Sequence, residues 1–343
     1  MKEHIRALKK CLLTLYPVRR TERQKRDFRI WAIKQLQQSG WEAYEEIYGS
    51  SDDLTTGRPL KRIGKFNNTV NIVSGDPDQA VIFLCAHYDT PSNMIIPNFV
   101  SPTNTIAYVG YHVLAVILLV IFSLIGAFAI SSFLGAPDLW FPLSLGLLIA
   151  LLWAVNAAPP NQNNANCNSS GVATVLAIAE RLDWDKRVCI LLLDNNDKDL
   201  LGASSFQKKY RDAAKNCLFM NFDCVGDGAN ILLIPSKRSC WDGALLADLS
   251  RAFPESDGMK AQVLESGLRY FRSDHRLFPF HVAVCACRRL KGLGYYIPNL
   301  WTDRDTVMQE ENIQYLTEGT AAFIGFYLEG GEESGGTDTP KQE

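Results

Sequence analysis

Charge is missing from the middle of this chain. The 343 residues include 35 Lys or Arg and 37 Asp or Glu, yet the stretch from Thr90 to Ala179 holds a single charged residue, Asp138. Such a gap excludes a uniformly soluble protein. The ordinary charge density on either side of it excludes a polytopic transporter. A basic excess is also lacking: the formal net charge is −2, which argues against a protein that neutralises nucleic-acid phosphates. No disulfide framework is visible. The nine cysteines are odd in number, and Cys85, Cys189, Cys285 and Cys287 sit inside apolar, strand-like runs, so they read as reduced, buried thiols. Cys285 and Cys287 are expected to face opposite sides of their strand. The N-terminal segment, MKEHIRALKKCLLTLYPVRR, has too short an apolar run for a signal-peptide core and reads as an amphipathic first helix.

What fills the gap is apolar. Ile106 to Leu134 is uncharged and rich in Leu, Ile, Val, Phe and Ala, long enough as a helix to cross a hydrocarbon core of about 30 Å. Gly135-Ala136-Pro137-Asp138 reads as a turn. Leu139 to Ala158 is a second uncharged run, with Pro142 near its start and Pro159-Pro160 after its end suiting helix boundaries. The reading is a transmembrane helical hairpin over residues 105–158, with the lipid bilayer as partner and His112 near the interface. A hairpin returns the chain to the side it left. The absent signal peptide, free thiols and basic N-terminus place the soluble domain of this integral membrane protein on the cytoplasmic side.

Around the hairpin the pattern alternates. Ala80–Ala86, Arg187–Leu193, Cys217–Phe222, Asn230–Ile234 and His281–Cys287 read as buried strands. Arg23–Gln38, Ser170–Leu182, Lys198–Tyr210, Asp242–Ala252 and Glu310–Leu328 read as helices. This indicates an α/β three-layer sandwich with a mostly parallel central sheet, split into 1–104 and 159–328, with a disordered Gly- and Glu-rich tail over 329–343. In such folds chemistry sits beyond the carboxyl ends of the strands. Three strands here run into polar clusters: His87-Tyr88-Asp89, Asp194-Asn195-Asn196-Asp197 and Asp223. Together they point to a metal site, present or former.

At these residues the chain resembles metallopeptidase family 28, the two-zinc aminopeptidase fold that includes glutaminyl cyclases. His87-Tyr88-Asp89-Thr90 is similar to its A-H-x-D motif, and Ala165 through Ala173 to N-D-N-x-S-G-V-A. Asp194 through Phe206 is similar to D-G-E-E-x-G-L-x-G-S, and Asn221 through Gly226 to N-x-D-x-x-G. Ser273-Asp274-His275 matches S-D-H, and Thr302 through Thr306 matches the end of H-T-x-x-D-T. The order is the family's order throughout. The resemblance implies a zinc-aminopeptidase-like fold, with His87 and Asp223 at two metal-ligand positions and Asp89 orienting the His87 imidazole.

The departures fall on the chemistry that the resemblance implies. Cys167 stands at the bridging-carboxylate position, Asp197 at the second-metal Glu, Trp301 at the late His, and Asn196 at the general base. A thiolate has one ligating atom where a bridging carboxylate has two. An indole N–H cannot ligate a metal, and an amide cannot take a proton from water at neutral pH. His87, Cys167, Asp197 and Asp223 remain as a candidate single site for at most one zinc ion. Trp301, Asp274 and His275 are expected to line the cleft, and Tyr295-Tyr296 to wall it or fill core. Two functions follow. One is a membrane-anchored pseudo-peptidase, without metal or with one ion, that binds a peptide or membrane-protein partner and no nucleic acid. The alternative is a one-metal hydrolase or cyclase acting on peptide N-termini or related amides, with Asp194 or Asp197 replacing the base.

Overall fold

Short apolar strands buried on both faces set the architecture. The computed structural model describes residues 1–48, 69–94, 98–156, 158–256, 258–264 and 271–334. In chain order its elements are α1 (Lys2–Thr14), α2 (Glu22–Gln38), β1 (Ala43–Tyr48), β2 (Thr69–Ser74), β3 (Ile82–His87), α3 (Thr105–Phe133), α4 (Trp140–Asn156), α5 (Gly171–Arg181) and β4 (Val188–Leu193). There follow α6 (Leu201–Lys209), α7 (Arg211–Asn216), β5 (Leu218–Phe222), β6 (Asn230–Pro235), α8 (Gly243–Ala252), β7 (Lys260–Val263), β8 (His281–Leu290), β9 (Gly294–Tyr296) and α9 (Glu310–Ser334).

One sheet runs β1-β2-β4-β3-β5-β8-β6-β7, with β9 added to the end of β8. The expectation of a mostly parallel sheet needs correction: the sheet is mixed. Its centre, β4-β3-β5-β8, is parallel, whereas β1/β2, β2/β4, β6/β8 and β8/β9 are antiparallel. The central strands are the fully apolar runs that stand out in the sequence, because both their faces are covered. β1 and β2 do not stand out. β1, AYEEIY, is half exposed, and a Glu-bearing edge strand carries little strand signal.

Period two divides the strands between two apolar layers. Ile82, Leu84, Val188, Ile190, Leu218 and Met220 face the layer that includes α1, α2, α5 and α9. Phe83, Cys189, Leu191 and Phe219 face α6 and α7, where Phe219 stacks on Phe278 and Phe83 at centroid distances of 3.8 and 4.5 Å. A third cluster joins Val100, Cys167, Cys285, Cys287, Ile297 and Leu300. Cys285 and Cys287 therefore share a face, with sulfurs 3.9 Å apart, and do not point to opposite sides as expected. Residues two apart on a strand project the same way.

Local chemistry explains the helix starts. Thr21 and Gln24 form a reciprocal capping box at α2, and Asn104 caps α3 by accepting from the Ala107 N–H at 2.9 Å. The helix expected from Lys198 starts later, at Leu201, because Asp199 and Leu200 adopt left-handed backbone (φ 56° and 58°) as the chain turns back from β4. α9 continues to Ser334, past the Glu329 boundary expected for a disordered tail; the rest of that tail lies outside the described residues.

The apolar insert forms two helices lying against each other. Gly126 of α3 leaves no room for a Cβ beside Leu147 of α4, and the Trp140 indole donates to the Leu124 carbonyl at 3.3 Å. The small residues Ser123, Ala127 and Ser131 are the buried residues of α3, a four-residue spacing that suits close helix packing. The two-span hairpin of the sequence reading is not what the described residues give. Only α3, 29 residues and about 44 Å long, is long and apolar enough to cross a membrane. Among the described residues α4 (Trp140–Asn156) has 17 residues, short of the roughly 20 needed.

Candidate metal centre

Sheet register brings the polar clusters together. β3 pairs in parallel with β4 and β5, with His87 opposite Leu193 and Cys85 opposite Asn221. The residues following the three strands therefore emerge side by side. The loop before α5 crosses above them and carries Cys167. Its shape is fixed by hydrogen bonds: Asp305 accepts from the Asn166 and Cys167 N–H groups at 2.7 and 3.0 Å. Asn168 donates to the Phe222 carbonyl at 2.9 Å and accepts from the Cys224 N–H at 3.1 Å. Gly171 is required at the start of α5, since a Cβ there would lie 2.2 Å from the Phe222 carbonyl oxygen.

The ligand-capable atoms of His87, Cys167 and Asp223 all lie within 4.8 Å of one another, and all three residues are buried. His87 Nε2 is 3.6 Å from Asp223 Oδ1. Tetrahedral zinc with bonds of ~2.0–2.3 Å needs ligand separations of roughly 3.3–3.8 Å, so nitrogen, sulfur and oxygen donors in this arrangement fit one ion. On the other side of the ring, His87 Nδ1 meets Asp89 Oδ1 at 3.3 Å, the arrangement that fixes the tautomer of a ligating imidazole. Asp89 is in turn held by the backbone N–H groups of Asn196 and Asp197, at 3.0 and 3.3 Å.

The electrostatics suit a cation. Burial opposes a charged His87, but its hydrogen bonds to Asp223 and Asp89 prevail and raise its pKa well above the ordinary imidazole value. A hydrogen bond from Cys224 is the largest influence on the Cys167 thiol and, with one from His87, lowers its pKa against the opposing effect of burial. A ligating cysteine must be ionised. Burial would raise Asp223, yet the bond to His87 holds it below the usual carboxylate range.

Asp197 does not join the three. Its carboxylate lies 3.9 Å from the Arg20 guanidinium, and its pKa is pushed up to about 7 by burial and by neighbouring Asp89. Asn196 donates through its amide to Asp274 Oδ2 at 2.9 Å. The other oxygen of Asp274, Oδ1, is buried and has no hydrogen-bond partner among the described residues, and burial pushes this acid up to about 7. His275 packs between Phe271 and His281, at centroid distances of 5.4 and 4.8 Å. Burial, followed by the repulsion of His281, drives its pKa well below the ordinary value. Trp301, with left-handed backbone at φ 62°, packs beside Cys167 in the third cluster together with Tyr295.

Two residues near the site carry no motif. Arg19 is fully buried and donates to the carbonyls of Tyr88 and Tyr16 and to Ser169 Oγ, tying the His87–Asp89 turn to the Cys167 loop. Burial pulls it down to about 10, against the opposing attraction of Asp89 and Cys167. Lys25 pairs with buried Asp194 at 2.6 Å. The arginines of YPVRRT between two helices gave the only signal for the first; nothing in the sequence pairs Lys25 with Asp194.

Comparison with known proteins agrees with this geometry. A family model described as Peptidase family M28 matches residues 154–288. No curated protein matches the chain. Among solved structures, the glutaminyl cyclase of Porphyromonas gingivalis is similar at 14% identity and a TM-score of 0.58, with 95% of this chain and 98% of that one covered. A Zn-dependent exopeptidase from Parabacteroides distasonis is similar at 14% identity and a TM-score of 0.57, with 95% and 98% covered. The LapA aminopeptidase of Legionella pneumophila is similar at 12% identity and a TM-score of 0.56, with 95% and 72% covered. At such identities the likeness to these structures concerns the fold. Residues 154–288 thus match the model of peptidase family M28, and the mixed α/β sheet with its surrounding helices has the zinc-aminopeptidase-like fold.

Proposed function

We propose that this protein is a membrane-anchored member of the family that no longer hydrolyses peptides and serves as a binding or scaffolding protein with at most one metal ion. The observation that carries the reading is Asn196. Its amide stands where the family resemblance puts a general base and is spent as a donor to Asp274, 2.9 Å away. An amide in that role accepts no proton, and losing a positioned base costs about 10²–10⁴ in rate. His87, Cys167 and Asp223 would hold the ion, which when bound would act as a Lewis acid on an oxygen ligand. Arg20 beside Asp197 disfavours a second cation there.

Chain path supports the anchor. Ser92 bridges to Pro160, and the Asn93 N–H donates to the Pro159 carbonyl at 2.7 Å. The insert therefore leaves and rejoins the domain at one place, so a bilayer crossed by α3 must be recrossed by the segment containing α4. The two helices expose Leu, Ile and Phe along their length, with Ile106 83% and Phe133 90% accessible, a surface suited to lipid and not to water. We place the domain on the cytoplasmic side, where nine free cysteines stay reduced.

The test uses full-length protein purified in detergent. Metal content is measured on wild type and Cys167→Ser, and turnover on aminoacyl anilides and glutaminyl peptides. The expected result is at most one zinc, lost with Cys167→Ser, and no turnover above background. Chelator-sensitive cleavage or cyclisation at enzyme-like rates would overturn the reading. A second reading, a one-metal hydrolase or cyclase, has one observation in its favour: the unpartnered Asp274 Oδ1 on an acid held at about 7, a value suited to a general base. It requires turnover that Asp274→Asn abolishes.

A further inference from the structure

A cavity lies away from the metal centre, at the root of α3. It holds about 580 Å³ and is bounded by Thr103-Asn104 on one side and the β8–β9 turn, Arg289 to Gly294, on the other. Its lining includes two cations, Arg289 and Lys291, and no acid. Arg288 next to them is already committed to Asp227, at 2.8 Å. Arg289 lies over the Tyr295 ring at 5.6 Å, and among the described residues no carboxylate pairs with either Arg289 or Lys291. Between them Leu290 is 54% exposed.

The turn is locked to the level at which α3 begins. The Asn104 amide donates to the Leu293 carbonyl at 3.0 Å, and Ser101 Oγ to the Tyr295 carbonyl at 2.7 Å. Val100 bridges to Ile297. Aromatic rings collect at the same level. Phe99 contacts Tyr111 and Tyr296 at 5.1 and 6.4 Å, and Tyr108 lies against His112 at 4.4 Å. Tyrosines gather at headgroup depth. α3 exceeds a hydrocarbon core of ~30 Å by about 14 Å, so its first turns can lie in that layer.

We propose that the β8–β9 turn rests on the membrane surface, with Leu290 dipping into it, and that the cavity binds the phosphate of an anionic phospholipid through Arg289 and Lys291. This rests on the membrane reading of α3. The shape supports it: a cavity at headgroup depth, with two cations that have no carboxylate partner among the described residues flanking an exposed leucine, and tyrosines alongside.

The test titrates detergent-purified full-length protein with short-chain phosphatidylglycerol, short-chain phosphatidylcholine or inorganic phosphate, counting bound molecules by native mass spectrometry. Wild type is expected to prefer phosphatidylglycerol. The exposed double variant Arg289→Gln/Lys291→Gln is expected to lose about 30-fold in that affinity, from the usual contribution of two basic residues at an anionic surface, with its circular dichroism unchanged. Lys291→Gln alone is expected to give an intermediate loss. Equal binding of the two lipids, or a preference that survives in the double variant, overturns the proposal. Displacement of phosphatidylglycerol by inorganic phosphate at similar concentration overturns the lipid as the ligand. Alkaline-carbonate extraction of the membrane-expressed chain separates the two readings. Release from the membrane overturns the anchor and this inference together. Retention without lipid preference overturns this inference alone.

Discussion

Replacing Lys25 by Met should destabilise the protein in a way that depends on pH. Lys25 Nζ lies 2.6 Å from Asp194 Oδ1 and 2.7 Å from Asn195 Oδ1, and both charged residues are buried. Asp194 also accepts from the Val70 and Asn195 N–H groups at 3.2 and 2.8 Å. Burial outweighs Lys25 and already raises the Asp194 pKa in the wild type, so that pair adds little net stability; breaking it is another matter. Without the lysine the carboxylate either stays charged and unpaired, costing about 3–5 kcal/mol, or takes up a proton. Keeping an acid of ordinary pKa near 3.9 neutral at pH 7 costs about 4 kcal/mol, so the two routes converge on the same size. The sign is fixed by linkage. The folded variant holds a proton that the unfolded chain releases, so its stability falls by up to about 1.4 kcal/mol per pH unit above pH 4. At pH 4 the deficit shrinks to the lost hydrogen bonds, about 1 kcal/mol. The assay is thermal unfolding of the detergent-purified chain from pH 4.5 to 7.5, where 4 kcal/mol corresponds to roughly 8–16 °C. Lys25→Met/Asp194→Asn should recover most of the loss and flatten the pH dependence. A deficit in the single variant that stays constant with pH would refute the reasoning, since it would show that the uncompensated charge is not the cause.

Arg19→Met removes the donor to the Tyr88 and Tyr16 carbonyls and Ser169 Oγ. Leaving buried acceptors unpaired should cost about 2–4 kcal/mol, read as a lowered urea midpoint, with zinc affinity falling as the His87 turn loosens. Gly171→Ala places a Cβ 2.2 Å from the Phe222 carbonyl and should cost at least 1–3 kcal/mol. Gly243→Ala in α8, where a Cβ meets nothing within 4 Å, should be neutral or stabilising by up to ~1 kcal/mol; equal melting shifts in the two would contradict the steric account. Asn196→Asp sets a second acid where the amide now donates to Asp274 at 2.9 Å. The pair should hold a shared proton to higher pH than Asp274 alone, which is already raised to about 7, so the fall in stability, about 1.4 kcal/mol per pH unit, should extend further above pH 7 than in wild type, and an unfolding profile parallel to the wild type's there would rule this out.

Much of the centre was legible because its strands are apolar on both faces and end abruptly in polar residues. His87 and Asp223 follow from that pattern, and the register that sets them side by side follows from parallel pairing. The sequence could not show that Asp197 stays apart, since that depends on the left-handed turn at Asp199 and Leu200 and on Arg20 arriving from the α1–α2 connection. Lys25 and Asp194 lie too far apart in sequence for any local period to link them. The edge strand β1 is dim for a different reason: a half-exposed antiparallel strand carries Glu and Tyr on its open face, which blurs the alternation. Hydropathy alone does not set where α4 begins and ends within the uncharged run.

The absence of charge outside the helices has its own cause. Residues 159–170 lead from α4 to the ligand loop, and their asparagines are nearly all buried: Asn161, Asn164, Asn166 and Asn168 are at most 1% exposed. Each meets backbone groups. Asn161 donates to the Thr302 carbonyl at 2.9 Å, Asn163 to that of Asp303 at 2.6 Å, and Asn164 to that of Pro17 at 2.8 Å. Asn166 accepts from the Gly226 N–H at 2.7 Å. Asn164 Oδ1 and Asn166 Nδ2 have no partner among the described residues, but a neutral amide partly paired costs less than an ion in the same place, which would need a counter-ion. The neutral run is thus two physical solutions in sequence: apolar residues along the exposed helices α3 and α4, then amides where the surroundings are backbone. The second fixes Cys167 against Asp305 and, with the bridge from Ser92 to Pro160, closes the domain across the base of the insert. The ligand geometry is therefore set by the domain's own backbone and should survive a change in the lipid around α3, so metal content should be the same in detergent and in bilayers of any thickness that α3 can span.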